Sequence, residues 1–277
     1  MSGSWDIATA TSIGSSTNKT QINGGQNLTK PTQAVNLVEA IPYIVSSGAY
    51  TASKPILTEM AIESNSIDLL PKRVIVPPIP AGLGTFINIV IPLLESYECN
   101  TPMVEGSTSQ FQIYGQQQIA TTVTTLMACA LHYSTTPPSA PEHFYNKPDN
   151  ETNYTTATTT TGNSMTINNG AWLQDLYVAN VVVTPTVSES LSGYAEFSSN
   201  DFGNSMPLKV PAQPGGAGLA GTLTTPILKL ASYHNTNMPM KTSCTINTSF
   251  TNDVSQTANG AFICGVGYTK TNFSRQY

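Results

Sequence analysis

Hydrophobic positions in this chain come in short bursts. Ile87, Val90 and Ile91 before Pro92, the run Val181 to Val183, Ile227 to Leu230, Thr121 to Tyr133 and Ala261 to Tyr268 are β-branched or aromatic stretches bounded by Gly, Pro and Asn. Tyr194, Glu196 and Ser198 alternate with Ala195 and Phe197, the period of two of a half-buried strand. No long amphipathic helix stands out. Val74 to Leu94 carries no charge and is about the length a helix needs to cross a bilayer, roughly 20 residues. Pro77, Pro78, Pro80 and Pro92, with Gly82 and Gly84 between, break that helix and predict strand, turn, strand.

The bursts repeat. Cys129-Ala130-Leu131-His132-Tyr133-Ser134 matches Cys264-Gly265-Val266-Gly267-Tyr268-Thr269 at a displacement of 135. Ser96-Tyr97 meets Ser232-Tyr233, Asn100-Thr101 meets Asn235-Thr236, Pro92-Leu93-Leu94 meets Pro226-Ile227-Leu228, and Val76-Pro77 meets Val210-Pro211. Pro80, Ala81-Gly82-Leu83 and Gly84-Thr85 follow in the same order as Pro214, Ala217-Gly218-Leu219 and Gly221-Thr222, and Ser64-Asn65 meets Ser199-Asn200. Asn36, Val38 and Pro42 align with Asn180, Val182 and Pro185 at 143 to 144, which implies about eight extra residues in the first copy, around the loop-like Ser46 to Ser53.

Collinear matches over this length indicate a tandem duplication. The expected organisation is an N-terminal arm over residues 1–19, a first β-sandwich over 20–134, a linker over 135–163 and a second sandwich with a C-terminal tail over 164–277. The linker assignment rests on Pro137-Pro138, Pro141, Pro148 and the run Thr158 to Thr161. Each copy, about 110 residues of some eight strands, is long enough for its own core.

Composition adds a constraint. Only 10% of residues are charged, where a soluble domain carries about 25%. Thr, Ser and Asn, together roughly 30% of the chain, replace the missing charge. The 11 basic and 16 acidic residues form no runs, and the first thirty residues hold only Lys19 and Lys30 against Asp6, so no direct nucleic-acid binding is expected. Met1-Ser2-Gly3-Ser4-Trp5-Asp6 has neither a basic start nor an apolar core, which predicts synthesis in the cytoplasm. The Asn-x-Ser/Thr triplets at Asn18, Asn27, Asn150, Asn153, Asn247 and Asn272 are expected by chance at this Asn and Thr content.

Signals of chemistry fail on context, and no catalytic, cofactor-binding or metal-ligating residue is assigned. Gly216, Gly218 and Gly221 have dinucleotide-loop spacing, but Pro211, Pro214 and Pro226 flank them and no helix follows. They read as a turn shared with Gly82 and Gly84. The histidines His132, His143 and His234 show no ligand spacing, and Glu142-His143 reads as a solvated linker pair. No Gly-x-Ser-x-Gly elbow or glycosidase-like carboxylate pair is visible. Cys99, Cys129, Cys244 and Cys264 form no Cys-x-x-Cys pair and read as buried thiols. Trp5, Trp172 and Tyr50 read as buried anchors rather than sugar-stacking platforms.

Two similar β-sandwiches in one low-charge chain resemble the double jelly-roll major capsid proteins of tailless icosahedral double-stranded DNA viruses, over roughly Thr20 to Thr269. The resemblance implies an all-β double jelly roll, two tandem barrels related by internal duplication. It implies a structural virion protein made in the host cytoplasm, not an enzyme, that forms homotrimers of six-sided outline tiling an icosahedral shell. Neighbouring capsomers, minor capsid and penton proteins would be its partners, an internal membrane could lie beneath the shell, and no cofactor is implied. The loop at Ser46 to Ser53 and the linker Pro137 to Asn163 would be trimer contacts or outer decoration. The alternatives are a tandem carbohydrate-binding or adhesive surface module, and a minor vertex or spike protein.

Overall fold

The computed structural model describes residues 3–14, 17–45, 56–64, 72–79, 96–104, 106, 110–118, 125–148, 152–154, 159–168, 171–182, 193–202, 207–212, 231–233, 238–240, 243–252 and 260–270. The first half contributes β1 (Gly3–Gly14), β2 (Thr20–Gln21), β3 (Leu28–Thr29), β4 (Asn36–Val45), β5 (Ile56–Glu63), β6 (Lys72–Ile79), β7 (Tyr97–Pro102), β8 (Gln110–Gln117) and β9 (Thr125–Ser134). The second contributes β10 (His143–Asn146), β11 (Thr152–Tyr154), β12 (Thr159–Thr161), β13 (Met165–Asn168), β14 (Ala171–Val182), β15 (Gly193–Ser198), β16 (Leu208–Ala212), β17 (Ala231–Tyr233), β18 (Met238–Met240), β19 (Ser243–Asn252) and β20 (Gly260–Lys270). No described helix is long and apolar enough to cross a membrane, and the uncharged stretch from Val74 begins inside β6.

These strands build two rolls with one topology. In the first, one sheet runs β1-β9-β4-β7 and the facing sheet β2-β8-β5-β6, with β3 also on β8. In the second, β10-β20-β14-β17 faces β12-β19-β15-β16, with β11 on β20, β18 on β14 and β13 on β19. The opening strand of each roll pairs with its closing strand, and β2 and β12 pair with the last but one, β8 and β19. Two interleaved four-strand sheets of this kind are a jelly roll.

Period-two burial fills each roll. Along β8, Phe111, Ile113, Gly115 and Gln117 are buried, and along β19, Cys244, Ile246, Thr248 and Phe250. The first core gathers Leu37, Ile44, Met60, Ile113, Met127 and Tyr133. The second gathers Phe197, Ile246, Phe250, Phe262, Cys264 and Val266, with Phe250 stacked on Phe262 at 5.3 Å.

The duplication is visible pair by pair. Cys129 faces Pro42 across the sheet and Cys264 faces Val178, so the two thiols hold equivalent positions on β9 and β20. The β4–β9 and β14–β20 ladders slip register at the equivalent place, between Leu37 and Glu39 in β4 and between Leu173 and Asp175 in β14. A bulge copied to the same position is strong evidence of common descent of the halves. The pairs from Thr58↔Gln117 to Glu63↔Gln112 likewise map onto those from Gly193↔Asn252 to Ser198↔Asn247.

Several expectations need correction. Asn36 corresponds to Trp172, not Asn180: both lie opposite the equivalent residues Ser134 and Thr269, a displacement of 136. With Thr58 matching Gly193 at 135, the connection from β4 to β5 differs by one residue rather than eight. The Asn and Pro identities that suggested otherwise were coincidences within strands of similar composition. Val76 matches Ala212 rather than Val210, since they pair with Thr58 and Gly193. Thr101 and Met238, opposite Leu37 and Leu173, replace the match of Thr101 to Thr236.

The boundaries shift as well. Most of the expected 1–19 arm is β1, a full member of the first roll through its ladder with β9. The expected 135–163 linker holds β10, β11 and β12, hydrogen-bonded to β20 and β19. Proline- and threonine-rich composition is compatible with short outer strands of a roll, because an edge strand needs only one row of donors. Ser46 to Ser53, Gly82, Gly84, Gly216, Gly218 and Gly221 lie outside the described residues.

Candidate functional site

The two rolls meet along a seam. The outer face of β10, β14 and β20 in the second roll lies against β6 and β7 at the edge of the first. Tyr145 and Tyr177 bracket Tyr97 of β7, the first edge-on at 5.1 Å and the second tilted at 6.0 Å. Tyr145, Tyr177, Ala179 and Ile263 are buried in one continuous cluster with the core of the first roll. Burial, reinforced by the neighbouring Tyr177, pushes the Tyr145 phenol far above its usual range, so it stays a neutral hydrogen-bonding group.

An ion pair pins the seam. Lys147, which follows β10, pairs with Glu59 of β5, and their side chains are 0% and 3% exposed. The same ammonium donates to the Pro148 carbonyl at 2.6 Å and to Gln118 Oε1 at 3.3 Å. The seam also holds a cleft of about 470 Å³, into which Ser96 and, from β7, Glu98 and Asn100 face His143, Gln174 and Asp175.

An aromatic, an imidazole and a carboxylate recur together in both rolls. In the first, Trp5 of β1 stacks on His132 of β9 at 4.5 Å and 7°, and His132 Nδ1 lies 3.2 Å from Glu39 of β4, which also accepts from the Ser96 hydroxyl. In the second, Tyr145 stacks on His143 at 4.9 Å, and His143 Nε2 lies 3.1 Å from Asp175 of β14. The carboxylates hold equivalent positions just after the duplicated bulge, and Trp5 and Tyr145 hold equivalent positions opposite His132 and Gly267.

The imidazole, however, has changed strands. Gly3 pairs with Ser134 as His143 pairs with Thr269, so the first roll carries glycine where the second carries histidine, and Gly267 stands where the first carries His132. Space explains the exchange. A Cβ at Gly267 would lie 2.8 Å from Asp175 Oδ2 and 2.9 Å from His143 Nε2, and a Cβ at Gly3 would collide with the His132 ring. One imidazole fits beside the carboxylate from either strand, and the opposing residue must then be glycine.

His143 is therefore no solvated partner of Glu142 but a buried residue paired with Asp175, and His132 has a carboxylate partner that spacing did not reveal. The seam residues Lys147, Glu59 and Asp175 and the first-roll Glu39 were not singled out by sequence; the correct register of β4 against β14 would have placed Glu39 over Asp175. Trp5 and Trp172, read as buried anchors, are 53% and 40% exposed. Tyr50 and His234 lie outside the described residues. All four cysteines are free and buried. Desolvation pushes the Cys129 and Cys264 thiols above their ordinary range, which denies them the thiolate a nucleophile requires. Among the described residues no group of three or more His, Cys, Asp or Glu side chains is placed to hold a metal ion. The site is an adhesive surface between barrels.

No protein-family model matches the chain, and no curated protein matches it in sequence. Solved structures do match. The STIV MCP is similar over 100% of this chain and 99% of its own, with a TM-score of 0.50 at 7% identity. A chain in the atomic structure of Sulfolobus turreted icosahedral virus is similar over 99% of this chain and 92% of its own, with a TM-score of 0.51 at 8% identity. At such identity the likeness is one of fold, and it extends through both rolls: the chain is a double jelly roll of the kind those virus structures contain.

Proposed function

We propose that this chain is a structural virion protein, a major capsid protein that self-assembles as homotrimers of pseudo-hexagonal outline tiling an icosahedral shell. The observation that carries the reading is the pair of register-matched jelly rolls, similar end to end to the STIV MCP, the abbreviation standing for major capsid protein. Three copies of a two-barrel chain supply six similar barrels, which suits hexagonal packing. A subunit surrounded by neighbours gains from interfaces depleted of Lys, Glu and Asp, in keeping with 10% charged residues.

In this reading the protein is not an enzyme and resides in the capsid after synthesis in the host cytoplasm. Its contacts are with itself, with neighbouring capsomers and with minor capsid and penton proteins. A balance of 11 basic to 16 acidic residues supports a shell that does not bind nucleic acid directly, as when a membrane lies between the two. Size-exclusion chromatography with light scattering tests the assembly step. A species at three times 29.4 kDa is expected. A chain that stays monomeric at high concentration, alone and with its companion proteins, overturns the proposal.

A further inference from the structure

The outer face of the first roll is the register counterpart of the face that the second roll buries in the seam. Across β1, β9 and β4 the first roll presents two rows, Trp5-His132-Glu39 and Ile7-Ala130-Ile41. Their counterparts in the second roll are Tyr145-Gly267-Asp175 and the row of Gly265 and Tyr177, with Lys147 one residue beyond the last pair of β10. The second-roll face is covered by β6 and β7, leaving Tyr145 and Tyr177 5% and 6% exposed. In the first roll, Trp5 and Ile7 are 53% and 54% exposed on one strand and one side. An apolar strip of this kind marks an interaction surface.

The covering edge also has a counterpart, which the seam leaves unused. β5, β6 and β7, which cover the second roll, match β15, β16 and β17 in register, with Glu59 matching Tyr194 and Tyr97 matching Tyr233. Each chain therefore carries one face and one edge that correspond to the pair its own seam joins and on which, among the described residues, no element of the other roll packs. This is a heterologous interface, and its repetition generates a ring or a filament.

We propose that the Trp5–Ile7 face of one copy seats the β15–β17 edge of a second copy, reproducing the intrachain seam between chains. The proposal rests on the homotrimer reading and names its interface. The seam's register makes one pair specific. Lys147 matches Ile7 and Glu59 matches Tyr194, so where the seam within a chain has an ion pair, the contact between chains has Ile7 against Tyr194 of the partner copy. Ile7 brings no charge to be desolvated, and on the partner side Lys209, whose ammonium lies 4.7 Å from the Tyr194 ring centroid, is 53% exposed and already paired with Glu196.

A charge-swap experiment tests this. Wild type, Ile7→Lys, Tyr194→Glu and the double variant are compared by light scattering across a dilution series, with circular dichroism and thermal melting as controls for folding. Ile7→Lys places a charge without a partner at the contact and is expected to weaken the trimer about 100-fold or more, whereas Tyr194→Glu gains Lys209 of its own copy, whose ammonium lies over the Tyr194 ring, as a partner and is expected to weaken it less. The double variant rebuilds the Lys147–Glu59 arrangement between copies and is expected to regain trimer. A trimeric wild type with trimeric single variants overturns this interface while leaving the trimer intact. Folded single variants whose loss the double variant does not reverse overturn the Ile7–Tyr194 register. A monomeric wild type fails the homotrimer reading itself, and this interface with it.

Discussion

Removing the ammonium of Lys147 is the sharpest perturbation of the seam. Lys147→Met keeps the length of the side chain and deletes its charge, which strands the Glu59 carboxylate at a position only 3% exposed and strips the Gln118 oxygen and the Pro148 carbonyl of a donor. Breaking a buried pair by removing one partner costs about 3–5 kcal/mol, because the remaining charge loses its compensation but not its desolvation penalty. Removing both charges is different. Glu59→Met combined with Lys147→Met replaces the pair with apolar groups of similar volume, and such exchanges are neutral or stabilising by about 1–4 kcal/mol.

A melting temperature moves by about 2 °C per kcal/mol for a chain of this size, so the single variant is expected to melt about 6–10 °C below wild type and the double variant near it. Urea unfolding followed by circular dichroism gives the same comparison at constant temperature, with the coupling read from the double-mutant cycle. A single variant within about 1 kcal/mol of wild type refutes the reasoning. It would mean that water reaches Glu59, and that the two rolls are not closed on each other at this point.

Four further outcomes follow from named contacts. Iodoacetamide is expected to leave all four buried thiols unmodified in the folded chain at mildly alkaline pH and to label them only in denaturant, as mass spectrometry would read. Tyr133, Tyr145 and Tyr268 keep their protons in the fold while the unfolded chain loses them. Stability should therefore hold below about pH 10 and fall as pH rises beyond it, in urea melts across alkaline pH. Phe197→Ala empties part of the second core and is expected to cost about 3–5 kcal/mol in the same melts. Gly267→His alone collides with Asp175 and His143, whereas adding His143→Gly recreates the first roll's arrangement, so the double variant should melt above the single one.

The legible part of this protein was its repetition. Cys129 and Cys264, and Tyr97 and Tyr233, were paired from sequence, and strand register places each pair at equivalent positions; Ser64 and Ser199, also paired, directly follow the matched residues Glu63 and Ser198. The closing strands β9 and β20 are legible because their inward positions demand particular volumes. β4 and β14 were misaligned because Asn36 and Asn180 share an identity while Asn36 and Trp172, the true counterparts, share none. The first strands of each roll were missed for a related reason. β1 and β12 are rich in Ser and Thr, and β10 lies between Pro141 and Pro148, a composition that is also the signature of a linker. The seam was out of reach, since Lys147 and Glu59 lie 88 positions apart and meet only once both rolls are built.

The exchange of His132 and Gly3 for Gly267 and His143 bears on why the outer face of the first roll has the form it has. In the second roll the stack of imidazole on Tyr145 is buried by the neighbouring barrel, so a misfit there would open the seam. Close packing supplies the constraint. In the first roll the equivalent stack ends in a tryptophan that is 53% exposed, and among the described residues no element of the other roll packs on it. A serine or lysine in place of Trp5 would be better solvated and would leave the core beneath, Ala8, Leu131 and Tyr133, undisturbed. An aromatic laid flat on an imidazole, held by a carboxylate, is a costly surface in water and a favourable one beneath another barrel. The persistence of all three groups on the open face, one of them supplied from a different strand, is the arrangement expected if that face is covered in the assembled protein by a copy of the edge that covers its counterpart.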